Sequence, residues 1–259
     1  SGPVTYTELV YLLSSVMGTA TSITAGTTDQ TWVFDMDIDG ADTPRTYTVE
    51  WGDATRALEF AYGLVRDLTL SFSRESAELS GTMLGYAISD GITLTGSPTA
   101  IALLPAHPTE LSVKFADAQA SLTAASVLTR VVSMEWALTD RYNPAYFINS
   151  STSWTAAIEG EPKLAVKVKM EKDAAGMGLI TQMRTGATKF IRIAGISTTM
   201  VTGAIPYSFQ IDTACKVISE PTFSDEDGIA CIEWEMEGFI DSTWGRTTQA
   251  TVVNNLSSL

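Results

Sequence analysis

One histidine, two cysteines, six tryptophans and 30 acidic side chains are the groups in this 259-residue chain best equipped for chemistry. His107 stands between Ala106 and Pro108. A Ser-His-Asp triad would need it as the base, because no other imidazole exists. No Gly-x-Ser-x-Gly elbow accompanies it, so it reads as a loop histidine. The HExxH, P-loop and dinucleotide-binding patterns do not occur. Asp35, Asp37 and Asp39 alternate ahead of Gly40, the spacing that opens a calcium loop. The bidentate glutamate such a loop requires is replaced by Thr46. Acids alternating along a strand read instead as a solvated face. Asp225-Glu226-Asp227-Gly228 reads as a solvated turn. Paired carboxylates for glycoside hydrolysis are set by distance in space, so an acidic hydrolase stays open as a minor reading. The pattern as a whole points to no enzyme, and it names no catalytic, cofactor-binding or metal residue.

Cys215 and Cys231 are too few for a disulfide framework or a zinc site. They flank the 224–228 turn. If that turn closes a hairpin, Cys231 lies opposite about residue 222, and Cys215 is about 23 Å away at ~3.3 Å per residue. A bridge needs Cα atoms within about 7 Å. Two free, packed thiols are expected, as in a reducing compartment. Trp32, Trp51, Trp136, Trp154, Trp234 and Trp244 fall mainly within strands, which suits core packing or subunit contacts better than ligand stacking.

The charge balance is 16 basic against 30 acidic groups, a net of −14. Such a field repels nucleic acid and anionic membranes, which disfavours a gene regulator or a phosphate-gripping enzyme. Residues 1–162 carry 7 basic and 19 acidic groups, and residues 163–259 carry 9 and 11. The imbalance serves solubility, or a surface that must not hold a polyanion passing close by. No apolar run approaches the ~18 residues of a membrane span. The start, Ser1-Gly2-Pro3-Val4, has neither a basic region nor an apolar one, so no signal peptide is expected there.

The elements behind these residues are mostly strands. Thr5-x-x-Glu8 predicts a capping box, and Leu9, Leu12, Leu13 and Val16 predict a helix over 6–17, ended by Gly18. Strands are predicted at 32–37, 47–51, 58–62, 67–73 and 77–86. Residues 89–126 read as a long connection with one short strand at 112–115. Further strands are predicted at 128–138, 146–148, 154–159 and 163–171. In the last of these Lys163, Lys167 and Lys169 alternate with Leu164, Val166, Val168 and Met170, leaving one face wet. A second helix is predicted at 174–184, closed by Gly186. Strands follow at 190–195, 207–211, 214–219, 229–240 and 250–254. The 35 threonines suit sheets exposed on one face.

The order of elements contains an echo. A short helix is followed by strands and a long hairpin ending Met83-Leu84-Gly85-Tyr86, and later by another ending Met236-Glu237-Gly238-Phe239. The first copy lacks the strands that precede the second helix at 128–171. Two tandem modules are expected, 1–126 (with the connecting segment) and 127–259.

The stretch Tyr47-Thr48-Val49-Glu50-Trp51-Gly52-Asp53, the central Val65–Ser73 strand and the returning Leu79–Gly85 strand resemble the major tail tube proteins of long-tailed bacteriophages. The helix at 6–18, Ile211–Val217 and the Thr251-Val252-Val253-Asn254 tail are similar too. The resemblance implies a mainly β fold, a β-sandwich or open barrel with short flanking helices, and strands ahead of the first helix that this chain does not show. It implies a structural virion protein, assembled in the bacterial host cytoplasm, that needs no cofactor. Its copies would form rings whose inner strands join into one β-barrel and stack into a hollow tube for DNA. Edge strands are then paired around the ring, and an acidic or neutral lumen lets DNA slide. A true duplication implies a trimeric ring with pseudo-sixfold symmetry; otherwise the ring is a hexamer. Terminator and tape-measure proteins would be partners, with DNA passing without specific binding. The competing class is a carbohydrate- or surface-binding β-sandwich, such as an adhesin or virion decoration module.

Overall fold

Alternation of apolar and polar side chains governs most of this chain, and the computed structural model turns it into sheet. It describes residues 1–25, 28–36, 41–148 and 151–259. The first half carries β1 (Gly2–Pro3), α1 (Leu9–Val16), β2 (Ser22–Ala25), β3 (Gln30–Asp35), β4 (Tyr47–Gly52), β5 (Ala57–Ser73), β6 (Ala77–Leu84), β7 (Ser89–Asp90) and β8 (Leu111–Ala116). The second carries β9 (Val131–Thr139), β10 (Tyr142–Ala145), β11 (Ala156–Glu159), β12 (Lys163–Glu171), α2 (Ala174–Thr185), β13 (Lys189–Thr202), β14 (Ile205–Val217), β15 (Thr222–Glu226), β16 (Ile229–Gly238) and β17 (Thr248–Asn254). The fold class is mainly β, as expected.

All strands but β10 and β11, which pair apart as a two-stranded arm, form one antiparallel sheet that doubles back on itself. Its first section runs β6-β5-β9-β12-β16; its second holds β8, β13, β14, β17, β3 and β2. The two meet at a short corner, where Cys215, Lys216 and Val217 of β14 pair with Gly238, Glu237 and Met236 of β16. Across the fold the inner faces touch. Phe72 of β5 stacks on Phe209 of β14 at 6.0 Å between ring centroids, and the Trp136 indole N–H on β9 donates to Thr213 Oγ1 on β14 at 3.1 Å. One core cluster joins Leu70, Trp136, Val166 and Trp234 of the first section to Ile193, Phe209 and Ile211 of the second. Strands of the two sequence segments share this sheet: β5 pairs with β9 and β17 with β3.

Helix α1 buries Leu9, Val10, Leu13 and Val16 and packs on β5, β3 and β17. Thr5 and Glu8 do interact, Glu8 N–H donating to Thr5 Oγ1 at 3.0 Å. The contact closes the turn ahead of the helix, which starts at Leu9 and not at residue 6. Gly18, at φ +95°, stops it. Helix α2 matches its predicted span to one residue. Asp173 caps its start through Gly176 N–H at 2.9 Å, and Gly186 ends it in the left-handed region.

Several strands differ from expectation: β2 and β15 were not expected, β13 runs on to Thr202, and three segments change more deeply. The stretches 58–62 and 67–73 are one strand, bent at Tyr62, whose φ is +55°. The outer half pairs with β4 and β7 and the inner half with β6 and β9. The segments 207–211 and 214–219 likewise merge into β14. Residues 146–148 are not a strand; pairing falls instead between Tyr142–Ala145 and Ala156–Glu159, leaving Tyr146, Phe147 and Ile148 exposed beyond it. Apolar composition alone does not distinguish an interior strand from an exposed tip.

Candidate functional site on the polar sheet face

The first section of the sheet presents two opposite faces. Inward go Leu68, Leu70 and Phe72 of β5, Met134, Trp136 and Leu138 of β9, Leu164, Val166, Val168 and Met170 of β12, and Ile232, Trp234 and Met236 of β16, all buried. Alternation then sends every neighbour outward. Strand pairing lines them up in rows. One row reads Glu78, Ser71, Glu135, Lys167, Glu235. The next reads Ser80, Thr69, Ala137, Ala165, Glu237, Lys216. On the other side lies Ser73, Ser133, Lys169, Glu233, Thr222. The outer face is thus a continuous surface of hydroxyls, carboxylates, the lysines of β12 and, at its edge, Lys216 of β14.

Each lysine on β12 is held by an acid. Lys167 meets Glu235 at 3.1 Å, Lys163 meets Asp140 at 2.9 Å, and Lys169 pairs with Glu226. The hydrogen bond and charge of Glu235, then the charges of Glu135 and Glu233, hold the Lys167 ammonium above its ordinary range. Glu78, Glu135, Glu233 and Glu237 make no ion pair among the described residues. A shallow groove of about 250 Å³ runs through the face, lined by Ser71, Ser73, Ser133, Glu135, Lys167, Lys169 and Glu233.

The face ends in open edges. On the far side of β6, among the described residues, the N-terminal segment covers only its start: Glu78 and Leu79 pair with Pro3 and Gly2, and Val4 N–H donates to the Ala77 carbonyl at 2.9 Å. Ser80–Leu84 and the outer side of β15 have no strand beside them among the described residues. Free backbone edges of this kind recruit another strand unless something blocks them.

The sequence-flagged groups are structural. His107 caps a one-turn helix: its Nδ1 lies 2.7 Å from Thr109 Oγ1, and its backbone N–H donates to Glu110 Oε2 at 3.2 Å. Asp35 does not lie on the expected solvated face: it is buried, and its carboxylate is tolerated there because it accepts from Gln249 Nε2 at 2.8 Å and Thr21 Oγ1 at 3.1 Å, with Arg246 Nε at 3.1 Å. Asp37, Asp39 and Gly40 lie outside the described residues. The 225–228 segment is the β15–β16 turn, with Asp227 and Gly228 both at positive φ. Asp227 pairs with Arg74 at 2.7 Å, and Asp225 accepts from Gly228 N–H at 3.0 Å. Among the described residues no three His, Cys, Asp or Glu side chains gather as a metal-binding group. Both cysteines are free and buried. Cys231 faces Ser224, two positions from the expected partner, and burial pushes the Cys215 thiol far up, away from the reactive thiolate. Trp32, Trp136, Trp154 and Trp234 are buried, and each indole N–H donates to an oxygen within the fold.

One hub had no sequence signal. Glu110 accepts from Tyr6 Oη at 2.9 Å, His107 N–H at 3.2 Å, Ser197 Oγ at 3.1 Å and Thr198 N–H at 2.9 Å. Burial opposes its charge, but these donors outweigh it and hold the carboxyl below its usual range. Its stabilisation is therefore full above the unfolded carboxyl value of about 4.3 and is lost as pH falls through the lower folded value. Glu110→Gln is expected to cost about 1–2 kcal/mol at neutral pH, discounted for partial exposure. It should also flatten the acid limb of a stability-against-pH curve measured by urea unfolding.

The fold and face together define a mainly antiparallel β protein with an apolar interior, one hydroxyl- and carboxylate-rich sheet face and unpaired edges. No helix among the described residues is long and apolar enough to cross a membrane. No family model and no curated protein matches the chain. Among solved structures the SPP1 tail tube, determined by solid-state NMR and cryo EM, is similar at a TM-score of 0.37 and 10% identity, over 60% of this chain and 81% of that one. That level of likeness fixes neither fold nor function here.

Proposed function

We propose that this protein is a structural virion component that self-assembles into stacked rings, forming a hollow tail tube through which DNA leaves the particle. The observation that carries the reading is the polar face: a five-strand sheet, packed on one side, whose other side is a wall of Ser, Thr and Glu with its β12 lysines already paired. Such a wall offers a passing phosphate backbone few free cations to grip. The open edges of β6 and β15 are the places where neighbouring copies extend the sheet. The reading involves no catalysis and no cofactor. The ring is a trimer if the 1–126 and 127–259 segments are duplicated modules, and a hexamer otherwise. Tail terminator and tape-measure proteins would bind the tube's ends and interior.

The test is negative-stain microscopy of the purified chain at rising concentration, with mass by light scattering. Rings or tubes with a lumen a few nanometres wide, of threefold or sixfold symmetry, are expected. A single monomeric species at the highest concentration, with glycan binding on an array, would replace the tube with a carbohydrate-binding module.

A further inference from the structure

The β12 lysines stand out on a surface of hydroxyls and carboxylates whose one other named cation, Lys216, lies over the Phe239 ring at its edge. Lys167 and Lys169 are two residues apart, about 6.6 Å along a strand, and Lys163 is about 13 Å from Lys167. All three point to the wet face, and the groove at Lys167 and Lys169 is floored by the hydroxyls of Ser71, Ser73 and Ser133. Ammonium groups in line beside hydroxyl donors are the chemistry that holds a phosphate backbone. Carboxylates sit against each of them: Asp140 on Lys163, Glu235 on Lys167 with Glu135 and Glu233 flanking, and Glu226 on Lys169 with Glu233 flanking.

We propose that Lys163, Lys167 and Lys169 form a latent polyphosphate-binding row, and that Asp140, Glu135, Glu226, Glu233 and Glu235 keep it closed to nucleic acid. This rests on the reading of the face as a wall passed by DNA, and adds that non-stickiness is an arranged property of these pairs. The lysines remain useful because they relieve repulsion between carboxylates on neighbouring strands, where like charges directly opposite destabilise a sheet. The acids in turn deny them to phosphate.

The experiment uses the unassembled full-length chain and a fluorescent DNA duplex, read by anisotropy at low salt. The wild type is expected not to bind. Replacing Glu135, Glu226, Glu233 and Glu235 by glutamine frees Lys167 and Lys169. Two phosphate contacts give a log–log salt slope of about −2, so binding should weaken about tenfold when salt rises fourfold. Adding Lys167→Gln and Lys169→Gln to the same variant should abolish the binding, which separates a lysine row from a mere change of net charge. Glu235→Gln alone, freeing only Lys167, should give a weaker gain and serves if the multiple variant misfolds. Binding by the wild type, no gain in either acid variant, or a gain that survives lysine removal overturns the proposal. Microscopy of the wild type keeps the two ideas apart. Tubes without a DNA gain sink the latent row and leave the tube; a DNA gain without tubes does the reverse.

Discussion

Asp212→Asn is expected to lower unfolding free energy by about 3–5 kcal/mol, the cost of leaving a buried charge without its partner. Asp212 is 1% exposed and Arg192 8%. Their contact is two-pronged, Arg192 Nε to Oδ1 at 2.7 Å and a second guanidinium nitrogen to Oδ2 at 2.8 Å. Gln119 and Gln210 amides also donate to Oδ2, at 3.1 and 3.2 Å. An asparagine would turn an NH₂ toward donors and leave the guanidinium facing Lys114, its register neighbour on β8. For a chain of this size the loss corresponds to a melting point lower by about 6–20 °C. Urea and thermal unfolding read it directly. Replacing both residues by apolar ones should recover most of the stability, because buried pairs often do no better than well-packed hydrophobes. A single-variant loss under about 1 kcal/mol would mean that water reaches this pair.

The second large effect is expected at Arg141, which is 2% exposed on the outer end of the sheet. Its guanidinium donates to the Val16 carbonyl at 3.0 Å, at the C-terminal end of α1, and pairs with Asp42 and Glu159. One side chain thereby ties the helix, the segment after β3 and the β10–β11 arm together. Arg141→Leu removes the guanidinium from Asp42, Glu159 and a helix-end carbonyl, at an expected cost of about 3–5 kcal/mol. Other anchors of the arm include Trp154, whose indole N–H donates to the Gly85 carbonyl at 2.9 Å and whose ring packs edge-on against Tyr62 and Tyr86, and Ala87 N–H donating to Ser153 at 3.0 Å. An isolated two-stranded hairpin is marginal in water. Limited proteolysis of the variant should therefore cut within 142–159 well before the core. Arg141→Lys keeps the charge but cannot serve three acceptors in a plane, so it should recover only part of the loss. Equal protease resistance in Arg141→Leu and wild type would show that the arm's other contacts hold it without Arg141.

Much of the polar face was legible before any coordinates. Alternation in Lys163–Glu171 and Leu68–Phe72 named the dry and wet sides, because side-chain direction in a strand follows parity alone. The end of α2 was readable from Gly186, whose cap role is local. The pairing partners were not. Nothing in residues 133–135 announces that Glu135 will lie between Ser71 and Lys167, since that depends on which strands become neighbours across distant stretches of chain.

The same division holds for the buried charges. Composition and periodicity by themselves determined a β-rich chain, an acidic surface, two unpaired thiols and a lysine-bearing strand with one solvated side. Only the tertiary structure decided that the small-residue stretch around Gln119 and Leu122 folds over β13 and β14 and buries Arg192 with Asp212. It also decided that Arg141 leaves solvent and that four donors converge on Glu110. The physical reason is range. Alternation and capping act within a few residues, whereas burial of an ion pair needs desolvation by segments tens of residues away, which no local pattern encodes.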